Sequence, residues 1–316
     1  MEHSNSKVAI IGAGSVGSTI AFDLALKGAV TEVALIDSTR EKAEAEILDI
    51  KQGASLGRPL KLEAGGYELC TDAAITIITA GARQHPGESR VDLLERNVGI
   101  VKSIVHSTLE SGFKGIFLLI TNPVDVLTWV THAESGFPPF RVIGTGTTLD
   151  SARLREYVAR RCRVNPHNIH GYILGEHGDT SFPAWSLLTI GGIPLDEFCP
   201  TCGACDDLAE FKANAAEEIR SAAYKIIAAK GSTCYAIAQV ASLIVETIVR
   251  DERRILPVSS VRSDFRGVKH TAFSFPAIVG REGIVRVLEY RLSAQEDECL
   301  MASARFVGEN IAKAGY

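Results

Sequence analysis

Apolar runs alternate with amphipathic segments along the first half of the chain. The apolar runs lie at 7–11, 32–36, 74–80 and 115–121. Helical patterns lie between them at 15–28, 39–52 and 89–111. Strands are apolar almost throughout when helices cover both faces of a parallel sheet. The pattern therefore predicts an α/β fold with a doubly wound parallel sheet in residues 1–146.

The pattern changes from about residue 147, where helices and strands no longer alternate regularly. The predicted elements are a helix at 149–162, a loop-rich region around 191–205, a helical stretch from 206 to about 250 interrupted near Gly231, strands at 254–261, 271–279 and 283–290, and a last helix at 293–313. We interpret residues 147–316 as a second, α+β lobe that follows the first without a low-complexity linker.

Composition and charge restrict the class of protein. The chain has 316 residues, enough for two lobes, and a net charge of -5, so no general basic field attracts nucleic acid or an anionic membrane. The start of the chain lacks the cationic and apolar regions of a secretion signal, and its apolar runs are too short to span a bilayer. The seven cysteines are an odd number and mostly scattered. We expect a cytoplasmic protein with reduced thiols.

A glycine-rich segment, "GAGSVG", follows the first strand and opens the first helix. Gly12, Gly14 and Gly17 let the backbone approach a pyrophosphate at the helix N-terminus, and Val16 lies inside the same loop. Asp37 ends the second strand, where its carboxylate accepts hydrogen bonds from ribose hydroxyls and repels the extra phosphate of NADP. A Rossmann-like NAD site is predicted; the alternative is a structural glycine turn with a solvated aspartate.

Six segments together resemble the lactate/malate dehydrogenase family. They are "GAGSVGS", "TAGARQHPGESRVDLLERN", "TNPVDVLT", "GTGTTLDSARLR", "GEHGDTSFP" and "KGSTCYAIA". The resemblance runs from about residue 7 to the last helix. It implies an NAD-binding lobe, a substrate lobe, reversible NADH-dependent reduction of a 2-oxo acid, and a homotetramer or homodimer.

The segment "ILGEHGDTSFP" contains a candidate proton carrier, His177. Histidine suits this role because its ordinary pKa lies near physiological pH, and a carboxylate partner favours the imidazolium. The resemblance implies that this partner is Asp150. Asp179 is closer in sequence, but we expect it to cap the turn. The alternative for His177 is a hydrogen-bonded turn residue.

Two arginines are candidate contacts for an anionic substrate. Arg153 lies three residues after Asp150 on the same helix face, and its planar fork suits a carboxylate. Arg90 ends a loop rich in Gly and Pro, and the resemblance implies that it polarises the ketone oxygen when that loop closes. The alternatives are a solvated helix face for Arg153 and a surface loop residue for Arg90.

Three further positions match the family near the reacting groups. The resemblance implies that Asn122, just past a strand's carboxyl end, contacts cofactor and substrate, that Thr233 lines the substrate pocket and that Ile237 backs the nicotinamide. Asn-Pro also opens turns, and an isoleucine at helical spacing also packs in cores.

The closing loop predicts which 2-oxo acid is used. Malate enzymes of the family place an arginine against the second carboxylate of oxaloacetate, whereas lactate enzymes place a neutral glutamine. Counting back from Arg90 puts Gln84 at that position, although Arg83 is its neighbour. Burying a polar group without a partner costs about 2–7 kcal/mol of free energy, and burying an unpaired carboxylate costs more. A pocket with a neutral glutamine therefore disfavours the second carboxylate of oxaloacetate, and we expect the substrates to be pyruvate and L-lactate. Oxaloacetate and malate are the alternative.

Two other groups of residues are candidates for a regulatory site and for a metal site. Arg155 and His170 match positions that bind fructose 1,6-bisphosphate in allosteric bacterial lactate enzymes; the alternatives are a residue on a helix face for Arg155 and a strand histidine for His170. Cys199, Cys202 and Cys205 have metal-site spacing but no evident fourth ligand, so we expect thiols and no metal. A non-catalytic NAD-binding protein and a metal-dependent hydrolase are remote alternatives, since the first has no reason to keep every reactive residue and the second leaves the glycine loop unexplained.

Overall fold

Six parallel strands form the centre of the fold. The computed structural model describes residues 6–82, 90–203 and 207–316, without the side chains of residues 90, 91 and 202. The strands are β1 (Lys7–Ile11), β2 (Glu32–Ile36), β3 (Lys61–Gly65), β4 (Ile75–Ile78), β5 (Ile116–Leu119) and β6 (Val142–Gly144). Their order in the sheet is β6-β5-β4-β1-β2-β3, with every neighbouring pair parallel. The predicted doubly wound α/β fold is confirmed.

Helices cover both faces of this sheet because successive strand residues point to opposite sides. In the described part of the chain the helices, on the sheet and elsewhere, are α1 (Ser15–Lys27), α2 (Arg40–Ala54), α3 (Arg90–Glu110), α4 (Val124–Ser135), α5 (Thr148–Cys162), α6 (Leu195–Cys202), α7 (Leu208–Lys230), α8 (Tyr235–Val249) and α9 (Ala294–Lys313). In β1, Val8 and Ile10 pack with α1, α2 and α8, whereas Ala9 and Ile11 pack with α3, α4 and α9. Apolar strands thus follow from two cores, one on each face.

The sheet continues from the first half of the chain into the second. After five two-residue strands come β12 (Arg254–Phe265), β13 (Val268–Gly280) and β14 (Gly283–Val287). The five are β7 (Ile169–His170), β8 (Ile173–Leu174), β9 (Phe182–Pro183), β10 (Thr189–Ile190) and β11 (Ile193–Pro194). Strand β12 pairs antiparallel with β6, with Ser259 opposite Gly144, so β12–β14 complete a nine-stranded sheet. The division at residue 146 stays a prediction, and the sheet crosses it.

Gly144 lies where the two halves meet. A Cβ at this position would lie 2.4 Å from Oγ1 of Thr128 and 2.8 Å from Cβ of Ser259. The close approach of α4 and β12 to this strand therefore requires a residue without a side chain.

Several elements were not predicted from the sequence pattern. Strand β3 is only partly buried and β6 has three residues, so neither has a long apolar run. Helix α4 is buried on all sides from Val124 to Thr131, and its polar residues there are buried too. Helix α6 contains Pro200 and lies within the stretch predicted to be rich in loops. The predicted interruption near Gly231 is present: α7 ends there, with the glycine in the left-handed conformation (φ 81°).

Within the described ranges, no helix combines the length and the apolar character needed to cross a membrane.

Candidate functional site

The turn between β1 and α1 brings backbone close to backbone. Gly12 has φ 113°, and a Cβ there would lie 2.6 Å from Oγ1 of Thr79. A Cβ on Gly17 would lie 1.9 Å from the carbonyl oxygen of Gly12. A Cβ on Gly14, in contrast, would meet nothing within 4 Å. The outer two glycines therefore keep the turn tight, and Gly14 leaves the backbone open to a ligand.

The N-terminus of α1 is left without a side-chain partner of its own. Its N-cap residue is Gly14, which offers no side-chain hydrogen bond, and its first turn has no acidic residue. The N–H groups and the positive end of the helix dipole are therefore available to an anion. This is the donor set that a dinucleotide pyrophosphate requires, and the loop fits NAD.

Asp37 lies at the carboxyl end of β2. Together with Gly12 and Gly14 it lines a groove that has a volume of about 1010 Å³. Its Oδ2 accepts a hydrogen bond from the N–H of Ala13 at 2.7 Å, and its Oδ1 accepts one from Thr39 at 2.9 Å. The carboxylate thus orders the glycine loop and presents an acceptor to the groove. Val16 packs against the core of that side, and its contact with a cofactor stays a prediction.

A second cavity contains four of the predicted substrate-site residues: Asn122, Asp150, Arg153 and His177. Nδ1 of His177 lies 2.6 Å from Oδ2 of Asp150, and Nη1 of Arg153 donates to Oδ1 of Asp150 at 2.9 Å. Because Asp150 occupies Nδ1, Nε2 is the ring nitrogen left for a ligand. One turn of α5 therefore supplies both the histidine's partner and a guanidinium beside it.

His177 and Asp150 each stabilise the charged form of the other. Burial lowers the pKa of His177, but the Asp150 carboxylate and, to a smaller extent, Asp125 outweigh burial and raise this pKa to about 9. Burial raises the pKa of Asp150, but His177 and Arg153 outweigh it, so the pKa of Asp150 is lowered overall. The pair is an imidazolium next to a carboxylate at neutral pH.

The backbone around His177 is attached to three separate elements. Gly175 exchanges two backbone hydrogen bonds with Ser274 of β13, and the N–H of Glu176 donates to Oγ of Ser303 of α9 at 2.6 Å. The N–H of His177 itself donates to Oδ2 of Asp125 at 2.6 Å. The segment is a loop by secondary structure, but its position is closely defined.

The cofactor groove and the substrate cavity are joined through a buried side chain, Asn97 of α3. Its Oδ1 accepts a hydrogen bond from the N–H of Ala82 at the groove wall at 2.7 Å. Its Nδ2 donates to the carbonyl oxygen of Asn122 at 2.9 Å. The two sites are therefore adjacent, which a reaction between cofactor and substrate requires.

Asn97, Asp125 and one wall of the cavity were not predicted from the sequence. Helix α7 forms that wall with Ala216, Ile219, Arg220, Ala223 and Tyr224. Asn97 and Asp125 lie inside quoted motifs, "DLLERN" and "TNPVD", but only their burial distinguishes them from surface polar residues. Helix α7 has a helical pattern like any other, and no local signal shows which of its faces meets the cavity.

Four predicted site residues stand apart from the cluster or outside the described part of the structure. Gln84 lies in 83–89, outside the described residues, and Arg90 begins α3 with its side chain outside them. Thr233 precedes α8, and its neighbours Ser232 and Cys234 line a cavity with Gly14 of the glycine loop. Ile237 packs against the core, which was the alternative considered for it, and its contact with the cofactor stays a prediction.

The residues considered for regulation and metal binding lie elsewhere. Arg155 is on α5, where burial lowers its pKa, and His170 is exposed on β7, against which α5 packs. Cys199 is buried, whereas Cys205 and the side chain of Cys202 are outside the described residues. Among the residues whose placement is given, no group of three or more His, Cys, Asp or Glu side chains is arranged to hold a metal.

The doubly wound sheet, the glycine loop and the adjacent His–Asp cavity define an NAD-binding oxidoreductase. Family comparison agrees: residues 6–144 match the NAD-binding domain, and residues 147–315 the alpha/beta C-terminal domain, of lactate/malate dehydrogenases. The chain belongs to the lactate/malate dehydrogenase family.

Its relatives and structural neighbours carry the same description. An L-lactate dehydrogenase of Thermoanaerobacterium saccharolyticum is 47% identical over 97% of this chain and 98% of its own, and one of Bifidobacterium animalis subsp. lactis is 43% identical over 98% of each. The crystal structure of the minor L-lactate dehydrogenase from Enterococcus mundtii, in its ligand-bound form, has a TM-score of 0.93 at 38% identity, covering 98% of both chains. A lactate dehydrogenase from a Medee basin deep-sea metagenome also has a TM-score of 0.93, at 37% identity and 99% of both chains.

The open space at Gly14 predicts a selective effect on cofactor binding. Its φ of -80° suits alanine, so Gly14→Ala leaves the melting temperature unchanged while its methyl group occupies the space of the pyrophosphate. We expect NADH affinity, measured by fluorescence titration, to fall about tenfold or more, a loss of about 1.4 kcal/mol.

Gly17→Ala is the matched control, because its Cβ meets backbone rather than ligand space. It is expected to destabilise the fold by about 1–3 kcal/mol in thermal unfolding. Unchanged NADH affinity in Gly14→Ala would contradict the placement of the pyrophosphate.

Proposed function

We propose that the protein is an L-lactate dehydrogenase that reversibly reduces pyruvate to L-lactate with NADH. The observation that carries the proposal is the convergence of His177, Asp150, Arg153 and Asn122 in one cavity beside the groove of the glycine loop. The names of the full-length relatives support the lactate rather than the malate activity.

Each residue of the cavity has a role in this reaction. Bound NADH supplies the hydride that the ketone carbon needs. Arg153 binds the substrate carboxylate, since its guanidinium lies beside His177. The imidazolium of His177 delivers a proton from Nε2 to the ketone oxygen, while Asp150 fixes the ring through Nδ1 and stabilises its positive charge.

The remaining roles come from the match to the family. Arg90 polarises the ketone oxygen, Asn122 and Thr233 contact the substrate, and Ile237 backs the nicotinamide. Gly12, Gly14, Gly17 and Val16 hold the pyrophosphate, and Asp37 binds the adenosine ribose. The match assigns Gln84 to the position that selects pyruvate, where an arginine would instead pair with the second carboxylate of oxaloacetate.

The cellular and regulatory context follows as part of the same proposal. The enzyme acts in the cytoplasm, where it reoxidises NADH at the end of glycolysis during pyruvate fermentation. It is a homotetramer, and Arg155 and His170 bind fructose 1,6-bisphosphate as an allosteric activator at a subunit interface. The packing of α5, which carries Arg155, against β7, which carries His170, supports a shared site.

One assay tests this proposal. NADH absorbance is followed with pyruvate and with oxaloacetate, each with and without fructose 1,6-bisphosphate, and the molecular mass is measured in parallel by sedimentation. We expect turnover with pyruvate to exceed that with oxaloacetate and the bisphosphate to lower the KM for pyruvate. Turnover with neither acid would refute the dehydrogenase, and an unchanged KM and mass would refute the effector site.

The raised pKa of His177 sets the pH dependence of both directions. Reduction needs the imidazolium, so kcat/KM for pyruvate stays level below the pKa of about 9 and falls about tenfold per pH unit above it. Oxidation needs the neutral ring, so kcat/KM for L-lactate rises with pH up to the same value.

Asp150→Asn removes the charge that raises the pKa of His177. The pH above which kcat/KM for pyruvate falls (its alkaline limb) and the pH up to which kcat/KM for L-lactate rises should therefore both move to lower values. Steady-state kinetics at saturating cofactor check the shift. Limbs that stay in place in this variant would show that another group titrates.

Gln84→Arg tests the choice of substrate at a position outside the described residues. The new guanidinium pairs with the second carboxylate of oxaloacetate, so the ratio of kcat/KM for oxaloacetate to that for pyruvate is expected to rise by about tenfold or more. Gln84→Asn is the neutral control. If the ratio is the same in all three proteins, residue 84 does not face the substrate.

A further inference from the structure

We infer that Asp125 is a positioning residue for the proton transfer: it ties the backbone of His177 to the helix that begins next to Asn122. The inference rests on the proposed function, because His177 is the proton carrier there. Asp125 takes no part in that scheme, and its side chain reaches the substrate only through His177.

Both oxygens of the Asp125 carboxylate are used, by two different parts of the chain. Asp125 lies in the first turn of α4 and is 2% exposed. Its Oδ2 accepts the N–H of His177 at 2.6 Å, and its Oδ1 accepts Oγ of Ser259 at 2.5 Å. One carboxylate therefore joins α4, the His177 loop and β12.

This arrangement couples two contacts of the substrate cavity. Asn122 and Asp125 belong to the same short segment, since Oδ1 of Asn122 accepts the N–H of Val124 at 3.3 Å at the start of α4. A movement of α4 therefore moves Asn122 and the backbone of His177 together. Asp150, from α5, orients the histidine ring, and Asp125 fixes the position of the backbone that carries this ring.

Asp125 is expensive to bury, which argues against a purely stabilising role. Burial raises the pKa of Asp125 to about 7, against the lowering effect of the hydrogen bonds from Ser259 and His177. A carboxyl whose pKa is raised on folding destabilises the protein progressively as pH rises from its ordinary value of 3.8 towards 7. A neutral side chain would avoid this loss of stability. We therefore assign the carboxylate a role in holding the backbone of His177.

The charge also acts on the histidine. The charged groups that face His177 are Asp150 of α5, Asp125 of α4 and Arg153 of α5, and Glu176 of the same loop faces Asp125. Asp150 and Asp125 favour the imidazolium, whereas Arg153 opposes it. Removing the charge of Asp125 should therefore lower the pKa of His177 while leaving its Asp150 hydrogen bond in place.

The decisive variant is Asp125→Asn, which keeps an acceptor oxygen for the His177 N–H and removes the charge. We expect kcat for pyruvate reduction to fall by up to about a hundredfold, because small displacements of a reacting group have effects of this size. The alkaline limb of kcat/KM should move to lower pH by roughly one unit. NADH affinity should not change, because Asp125 lies outside the groove.

Glu296→Gln is the matched control for loss of a buried carboxylate. Glu296 also accepts a backbone N–H and a serine hydroxyl, both from Ser186, but in the cap region of α9. We expect this variant to lower the melting temperature and to leave the pH limb in place. Ser259→Ala is the second variant: it removes the hydrogen bond that lowers the pKa of Asp125, so the carboxyl is less fully charged and less firmly held. We expect it to lower kcat and to move the limb in the same direction as Asp125→Asn, by a smaller amount.

The inference and the proposed function fail in different ways. Wild-type protein that turns over neither 2-oxo acid refutes the function, and NMR titration of His177, assigned through His177→Asn, then tests the inference without turnover. A lower pKa of His177 in Asp125→Asn than in wild type and Glu296→Gln supports the positioning role. An unchanged pKa and limb, or an equal shift in Glu296→Gln, would overturn it.

Discussion

The proposed reaction depends on an imidazolium that is held against a buried carboxylate. The 2.6 Å contact between His177 and Asp150 keeps a proton on the ring at neutral pH, against the burial that would remove it. Asp150 also accepts a hydrogen bond from Arg153, so its carboxylate contacts two positively charged side chains. In the proposed reaction, the carboxylate of the substrate pairs with the guanidinium of Arg153. In that proposal, substrate binding by Arg153 and the protonated state of His177 both depend on Asp150.

The fold makes this contact possible by joining its halves through one sheet. Strand β12 pairs with β6 at Gly144, where two elements approach too closely for any side chain. The same register places Ser259 against Asp125, and Asp125 against the backbone of His177. The site therefore lies at the junction, and neither half contains all of it. The polar contacts there have a rigid sheet as their base rather than a flexible linker.

The cofactor groove is built by a different kind of interaction, mainly backbone on backbone. Gly12 and Gly17 allow a turn that any larger residue would widen, and Asp37 holds the N–H of Ala13 in that turn. Asn97 then carries the order of the groove wall to Asn122 in the substrate cavity. The groove wall and the substrate cavity are thus linked through one buried amide side chain.

The sequence by itself determined what is encoded locally: the doubly wound sheet from its apolar runs, and the NAD site from the spacing of Gly12 and Asp37. The pairing of His177 with Asp150 came from resemblance, because 27 residues separate them and no periodicity relates them. Asp125 and the wall formed by α7 required the tertiary structure. Hydrogen bonds between distant segments and the burial of a polar group depend on how elements pack, and a local pattern of polar residues is the same whether they face water or each other.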